Sequence, residues 1–474
     1  MNAGTRERPQ SDKAEVFNWQ SAPLRPEQKK FLPLPTFSRG GMDNLLQWRL
    51  FPLLTLLASL VVFFYVQNRS KGGKIVSIVK EDQKRSSSKL GHVIDYGEAV
   101  IMPGLIDVHV HLDDPGRTEW EGFPSGTKAA AAGGITTLVD MPLNSFPSTV
   151  SSETFELKIQ SAKERIYVDV GFWGGLVPEN AFNKSALEDL LNAGVLGLKA
   201  GLSLLAKYRR PLLVHAEIEQ DPISNLGLED GDDDARSYST YLKTRPPSWE
   251  EAAIRELLTV TKDTRIGGSA AGAHLHIVHL SDSSSSLNLI KEAKNGGDSV
   301  TVETCPHYLA FSAEEIQDGD TRFKCSPPIR DAANKEKLWD ALLEGHIDML
   351  SSDHSPTLPE LKLLDDVTWS YGKKYGVTLE QLASWWGERP AKLAGQESKG
   401  SIAVGNLADV VVWEPEVEFD LDNDYPVYLK HPGISAYMGR KLYGKVSATF
   451  VRGNLVYEEG KHASAACGVP ILAK

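Results

Sequence analysis

Between residues 100 and 352 short apolar runs alternate with stretches of helix-forming residues. Eight runs stand out: Val100 to Val110, Ile135 to Met141, Tyr167 to Trp173, Val195 to Lys199, Leu212 to Ala216, His274 to Leu280, Ser299 to Thr304 and Asp348 to Ser352. Runs this short, with β-branched enrichment, read as buried strands. Intervening segments such as Ser185 to Leu191 and Lys335 to Leu343 carry good helix formers. Strand and helix in alternation imply a parallel sheet, and eight such units predict a closed (β/α)8, TIM-like barrel over 103–399. An open doubly wound sheet is the alternative. It would be favoured by a glycine-rich phosphate fingerprint after the first strand, and the sequence has none.

The two ends of the chain have a different period. Lys74 to Lys80 and His92 to Asp95 near the start, and Ala408 to Trp413, Val446 to Val451 and Leu455 to Tyr457 near the end, read as strands separated by turns at Gly444 and Arg452-Gly453-Asn454. Segments 71–102 and 400–474 are expected to pair into one small β-sandwich domain. Residues 1–41 are polar, rich in Pro, Lys and Arg, and lack an apolar period, so a disordered tail is expected. Leu50 to Val66 is an uncharged run of 17 residues, near the lower limit for crossing a bilayer. Residues 42–70 are therefore expected to act as a hydrophobic signal anchor, with the body of the protein in the endoplasmic reticulum or endomembrane lumen. A buried helix is the competing reading. The sequons Asn68-Arg-Ser and Asn183-Lys-Ser are compatible with a lumenal body.

Composition narrows the function. The net charge of −12 and the lack of a long basic run argue against nucleic acid as a partner. Three cysteines without a CxxC pair cannot build a disulfide framework.

The chemistry sits at the ends of the predicted strands. In Gly104-Leu-Ile-Asp-Val-His-Val-His111 the two histidines are two residues apart, so a strand aims both imidazoles at one face. Run four ends in Lys199, run five leads into His215, run six carries His276 and His279, and run eight leads into Asp353. Catalytic groups of a barrel gather at the C-terminal ends of its strands. Imidazole and carboxylate together suit a divalent metal. Lysine does not, because an ammonium has no lone pair. Lys199 is either a surface lysine or, after reaction with carbon dioxide, an anionic carbamate able to bind metal.

The segment Met102 to Phe123, with Gly133 to Pro142, Thr304-Cys-Pro-His-Tyr308, Cys325-Ser-Pro-Pro-Ile-Arg330 and Ser352-Asp-His-Ser-Pro356, resembles the cyclic amidohydrolase superfamily and, within it, plant-type allantoinases. The resemblance covers nearly all of 42–474. It implies hydrolysis of the hydantoin ring of allantoin to allantoate, in a homo-oligomer, with two divalent ions (Zn2+ or Mn2+). His109, His111, carbamylated Lys199 and Asp353 would hold one ion, and Lys199, His215 and His279 the other. Asp353 would be the catalytic proton carrier, and Ser326 and His307 would lie on the substrate side.

The chain departs from that pattern in three places. Only Ala200 to Pro211 remain as the crossover after Lys199, a glycine-rich stretch is missing after Asp353, and the N-terminal β segment is short between Asn68 and Lys74. Parallel strands need a dozen or more residues to cross. The ligand types survive and substrate loops do not, so impaired activity is expected. The alternatives are a hydantoinase- or dihydroorotase-type amidase, and a catalytically silent scaffold on the same fold.

Overall fold

The computed structural model describes residues 62–67, 73–80, 94–199, 202–220, 234, 236–356, 368–422 and 424–473. The expected polar tail at 1–41 and most of the expected anchor lie outside them. The strands in chain order are β1 (Val62–Gln67), β2 (Lys74–Lys80), β3 (Val100–Pro103), β4 (Leu105–Val110), β5 (Ile135–Asp140), β6 (Asp169–Phe172), β7 (Gly174–Gly175), β8 (Leu198–Lys199) and β9 (Pro211–Val214). They continue with β10 (His274–Ile277), β11 (Val300–Thr304), β12 (Met349–Leu350), β13 (Val410–Leu421), β14 (Arg440–Val451), β15 (Asn454–Glu458), β16 (Lys461–His462) and β17 (Pro470–Ile471).

Strands β4 to β6 pair in parallel, and β7 to β12 continue the series in order. Chain continuity through Trp173 joins β6 to β7. A parallel bridge between Val110 and His354 joins the last strand to the first. The eight-run reading and the barrel both hold. Ile106, Val108, Val139, Trp173, Leu213 and Met349 pack together as the barrel's inner core.

The first predicted run is two strands. β3 leaves the barrel and pairs antiparallel with β13, while β4 stays in it. Gly104 makes the break, and its position is crowded: a Cβ there would lie 2.2 Å from the Thr136 side chain. The N- and C-terminal segments meet as expected, in an antiparallel sheet ordered β16-β15-β14-β13-β3. β2 joins this region through the Lys74–Leu407 bridge. Ile94 and Asp95, expected to end a strand, are not in one; His92 and Val93 lie outside the described residues.

Two further results bear on the departures. The short crossover after β8 closes: Leu202–Tyr208 is a helix, and Leu198 pairs in parallel with Leu212. Seven residues give about two helical turns, enough to return the chain alongside its own sheet. The end of the apolar run expected to cross a membrane, Val62–Gln67, is a strand paired antiparallel with β2 rather than part of a helix. Its sequence, Val-Phe-Phe-Tyr-Val-Gln, is rich in the residues that favour strands. Among the described residues, no helix is long and apolar enough to cross a membrane.

Candidate metal centre

The alternation of β4 sets the first two groups. That alternation, carried one residue past the end of the strand, points His109 and His111 to one side, with ring centroids 5.6 Å apart. Asp353 follows β12 and reaches across the closing bridge: its Oδ1 lies 3.1 Å from His109 Nε2 and 3.6 Å from His111 Nε2. His279, just past β10, brings its ring centroid to 5.4 Å from that of His109. One ligand atom each from His109, His279 and Asp353 falls within a 4.8 Å cluster, and all three residues are buried. His215, just past β9, places Nδ1 2.9 Å from His279 Nε2.

Two of these groups sit in left-handed backbone, His279 at φ 39° and Asp353 at φ 49°. Such conformations cost on the order of 1–3 kcal/mol in a non-glycine residue and cluster at functional sites. Here both residues belong to the buried cluster.

The electrostatics favour a bound cation. Burial alone would push the Asp353 carboxyl up, but the imidazoles of His109, His279 and His111 outweigh it and hold it well below the ordinary range. Asp353 is therefore an anion. Burial lowers His111, only partly offset by Asp353, so its ring is a neutral lone-pair donor. Imidazoles and one carboxylate, close together at the barrel mouth, fit a divalent ion.

The structure thus brings together five of the six residues that the sequence singled out. The backbone of the sixth, Lys199, ends β8 and pairs with Gly175 on the neighbouring strand. Its side chain lies outside the described residues. His307 is buried at the start of the helix Pro306–Ala310, against the Tyr308 ring at 4.1 Å. Ser326 Oγ is 3.1 Å from the Tyr241 hydroxyl. His276, flagged with the strand ends, faces into the barrel instead of its mouth and pairs with Glu303.

Three acidic residues around the cluster carried no assignment in the sequence. Glu303 Oε1 lies 2.7 Å from His109 Nδ1. Glu217 Oε2 lies 2.7 Å from His215 Nε2 and is itself paired with Arg245. Asp107 Oδ1 accepts from the backbone N–H groups of His109 and Ser352, tying β4 to the segment after β12. Burial raises Asp107 to about 6, against the hydrogen bonds from Ser352 and His109. The signal was present for Glu303 and Asp107: an acid within an apolar barrel strand must be paired to be buried.

Residues 100–456 match the family model described as "Amidohydrolase family", and 69–99 match "Allantoinase, composite domain". An allantoinase from Arabidopsis thaliana is 65% identical over 505 residues, spanning 91% of this chain and 99% of that protein. The chain belongs to the amidohydrolase family, on its plant-type allantoinase branch. A protein of Oryza sativa subsp. japonica titled "Probable allantoinase" is 61% identical, over 85% of this chain and 87% of its own. Among solved structures, the L-hydantoinase (dihydropyrimidinase) of Arthrobacter aurescens superposes with a TM-score of 0.72 at 26% identity, covering 85% of this chain and 94% of that one. This amidohydrolase is a metal-dependent enzyme of the cyclic amide type. Of the 505 positions aligned with the Arabidopsis protein, the chain fills about 430, which is 91% of 474. About 75 residues of that relative therefore have no counterpart here.

Proposed function

We propose that this chain hydrolyses the hydantoin ring of allantoin to allantoate. The observation that carries the reading is the buried His109–His279–Asp353 cluster at the barrel mouth, flanked by His111 and His215. The 65% identity to an allantoinase supports allantoin over hydantoin or dihydroorotate as substrate. His109, His111 and Asp353 would hold one divalent ion and His215 with His279 a second, with Lys199 as a carbamate shared by both. Such ions, zinc or manganese, supply hydroxide at neutral pH and polarise the ring carbonyl. Asp353 would take the proton at its carboxylate and return it to the leaving ring nitrogen. Ser326 and His307 are assigned to the substrate side.

The residues missing relative to the Arabidopsis protein favour weakened turnover, since loose positioning alone costs orders of magnitude. The test is purified full chain loaded with Zn2+ or Mn2+ in bicarbonate, assayed on allantoin, hydantoin and dihydroorotate, with metal counted per protomer. The reading expects bound metal and turnover of allantoin above the other two. A folded protein that takes up no metal would point to the scaffold alternative. Anchoring in the endoplasmic reticulum is also proposed, resting on the apolar run 50–66 alone. Alkaline carbonate extraction of membranes from cells making the full chain tests it; release into the supernatant would overturn it.

A further inference from the structure

β10 and β11 are parallel neighbours with His276 opposite Thr301. Leu275, Ile277, Val300 and Val302 pack into the outer core. The alternate residues His274, His276, Thr301 and Glu303 therefore face into the barrel. There they form a continuous hydrogen-bonded ladder. Ser299 Oγ lies 2.9 Å from His274 Nδ1, and His274 Nε2 lies 2.7 Å from Thr301 Oγ1. Thr301 Oγ1 lies 2.8 Å from His276 Nδ1, and His276 Nε2 lies 3.0 Å from Glu303 Oε2. The other oxygen of Glu303 meets His109 Nδ1 at 2.7 Å.

The carboxylate sets the direction of the two bonds it accepts, and one proton on each ring sets the rest. An ionised carboxylate only accepts, so His109 Nδ1 and His276 Nε2 both donate to Glu303. A neutral His276 then accepts at Nδ1, so Thr301 spends its single hydroxyl proton there. Thr301 must accept from His274 Nε2, which leaves His274 Nδ1 to accept from Ser299. One proton on each ring satisfies every site, and all donors point toward Glu303. The end of this chain is His109 as the Nδ1–H tautomer, whose Nε2 lone pair faces Asp353 and the candidate metal.

We propose that Glu303, braced by His276, Thr301, His274 and Ser299, is the positioning residue that locks His109 in its metal-binding tautomer. The inference rests on the reading of His109 as a metal ligand. A ladder of this kind has no need to exist for packing alone, because apolar side chains fill the same space without buried polar atoms. A carboxylate behind a ligating histidine typically contributes 10- to 100-fold in metal affinity.

The experiment measures Zn2+ affinity of the full chain in bicarbonate buffer by chelator competition, with circular dichroism to establish folding. Four variants are compared: Glu303→Gln, Thr301→Val, Thr301→Ser and His109→Ala. Glu303→Gln puts an amide N–H2 against a ring N–H and should lower affinity about 10-fold or more. Thr301→Val keeps the strand residue's shape, breaks the ladder two residues from Glu303, and should lower affinity roughly threefold. Thr301→Ser restores the hydroxyl and should bind as the parent does. If Glu303→Gln does not fold, the Thr301 pair decides the matter. Parental affinity in Thr301→Val overturns the proposal, as does parental affinity in a folded Glu303→Gln. Parental affinity in His109→Ala would instead overturn the metal-site reading itself.

Discussion

Lys399→Met tests what joins the barrel to the β domain. The Lys399 ammonium lies 2.8 Å from Asp169 Oδ2, at the start of β6, and 2.6 Å from Asp409 Oδ2, just before β13. The three side chains are only 1–3% exposed. Asp169 has other partners: it is paired with Arg452 and accepts from the Val469 N–H. Asp409 keeps only the Arg452 backbone N–H, on its other oxygen. Removing Lys399 therefore strands Asp409 Oδ2 in the interior. Breaking one side of a buried pair costs about 3–5 kcal/mol, and methionine is close enough in volume that little of this is cavity. The double variant Lys399→Met/Asp409→Asn should recover about 2 kcal/mol or more, because the uncompensated charge is gone. The sign with pH follows. Burial already raises Asp409, and Lys399 holds it back. Without Lys399 it climbs further, so the folded variant binds a proton more tightly than the unfolded chain. The deficit should narrow as pH falls from 7 toward 5. Urea unfolding followed by tryptophan fluorescence, at two pH values, reads all three quantities. A single-variant loss below about 1 kcal/mol, or a double variant no better than the single, refutes the reasoning.

Three other outcomes are expected. Burial, with neighbouring His276, Lys294 and Lys392, holds His274 at about 3, against 6.5 ordinarily. The unfolded chain therefore takes up the proton first, and stability falls as pH drops from 6.5 to 3, by about 2 kcal/mol at pH 5. His274→Gln should flatten that part of the profile, and an unchanged slope in urea midpoints counts against it. Gly197→Ala should destabilise the β8–β9 seam by about 1–3 kcal/mol in urea unfolding, because the new Cβ would lie 2.6 Å from the Pro211 carbonyl oxygen. A neutral result would mean that the seam yields freely. Ile471→Ala removes an anchor of β17, which pairs with β6 and packs into the inner core. It should cost about 2–4 kcal/mol and speed limited proteolysis of the C-terminal strand; parental resistance would contradict that.

Much of the barrel was legible because parallel strands buried on both faces leave unbroken apolar runs. Each of the eight runs overlaps at least one strand, and helices fill the expected gaps at Lys184–Ala193 and Ala332–Leu343. The first run misled because apolarity alone does not say which sheet a strand joins; Gly104 carries that information through its contact with Thr136. Val62–Val66, the end of the apolar run expected to anchor the chain, suits a strand as well as a membrane helix and pairs with Lys74–Lys80; residues 50–61 of that run lie outside the described residues. Of the candidate site, the imidazoles and Asp353 were visible because they follow strand ends. For Glu303 the sequence showed only that a buried acid needs a partner; which ring it meets depends on a contact across the barrel between residues 194 apart in the chain.

The three departures from the family pattern read in the sequence bear unevenly on this architecture. Four of the five residues gathered at the barrel mouth lie within three residues of the end of a barrel strand, and the fifth, His109, lies within β4. The barrel needs only short returns to close, and the helix Leu202–Tyr208 supplies one in seven residues. The electrostatics that keep Asp353 ionised come from His109, His279 and His111, none of which lies on a shortened segment. Metal affinity should therefore track the strands while substrate affinity tracks the rim, so the two can part company in one molecule. A chain that loads metal fully and turns over allantoin slowly is what this division of labour requires. A chain that fails at both would place the damage in the barrel itself, at the single Leu198–Leu212 pairing where the crossover is shortest.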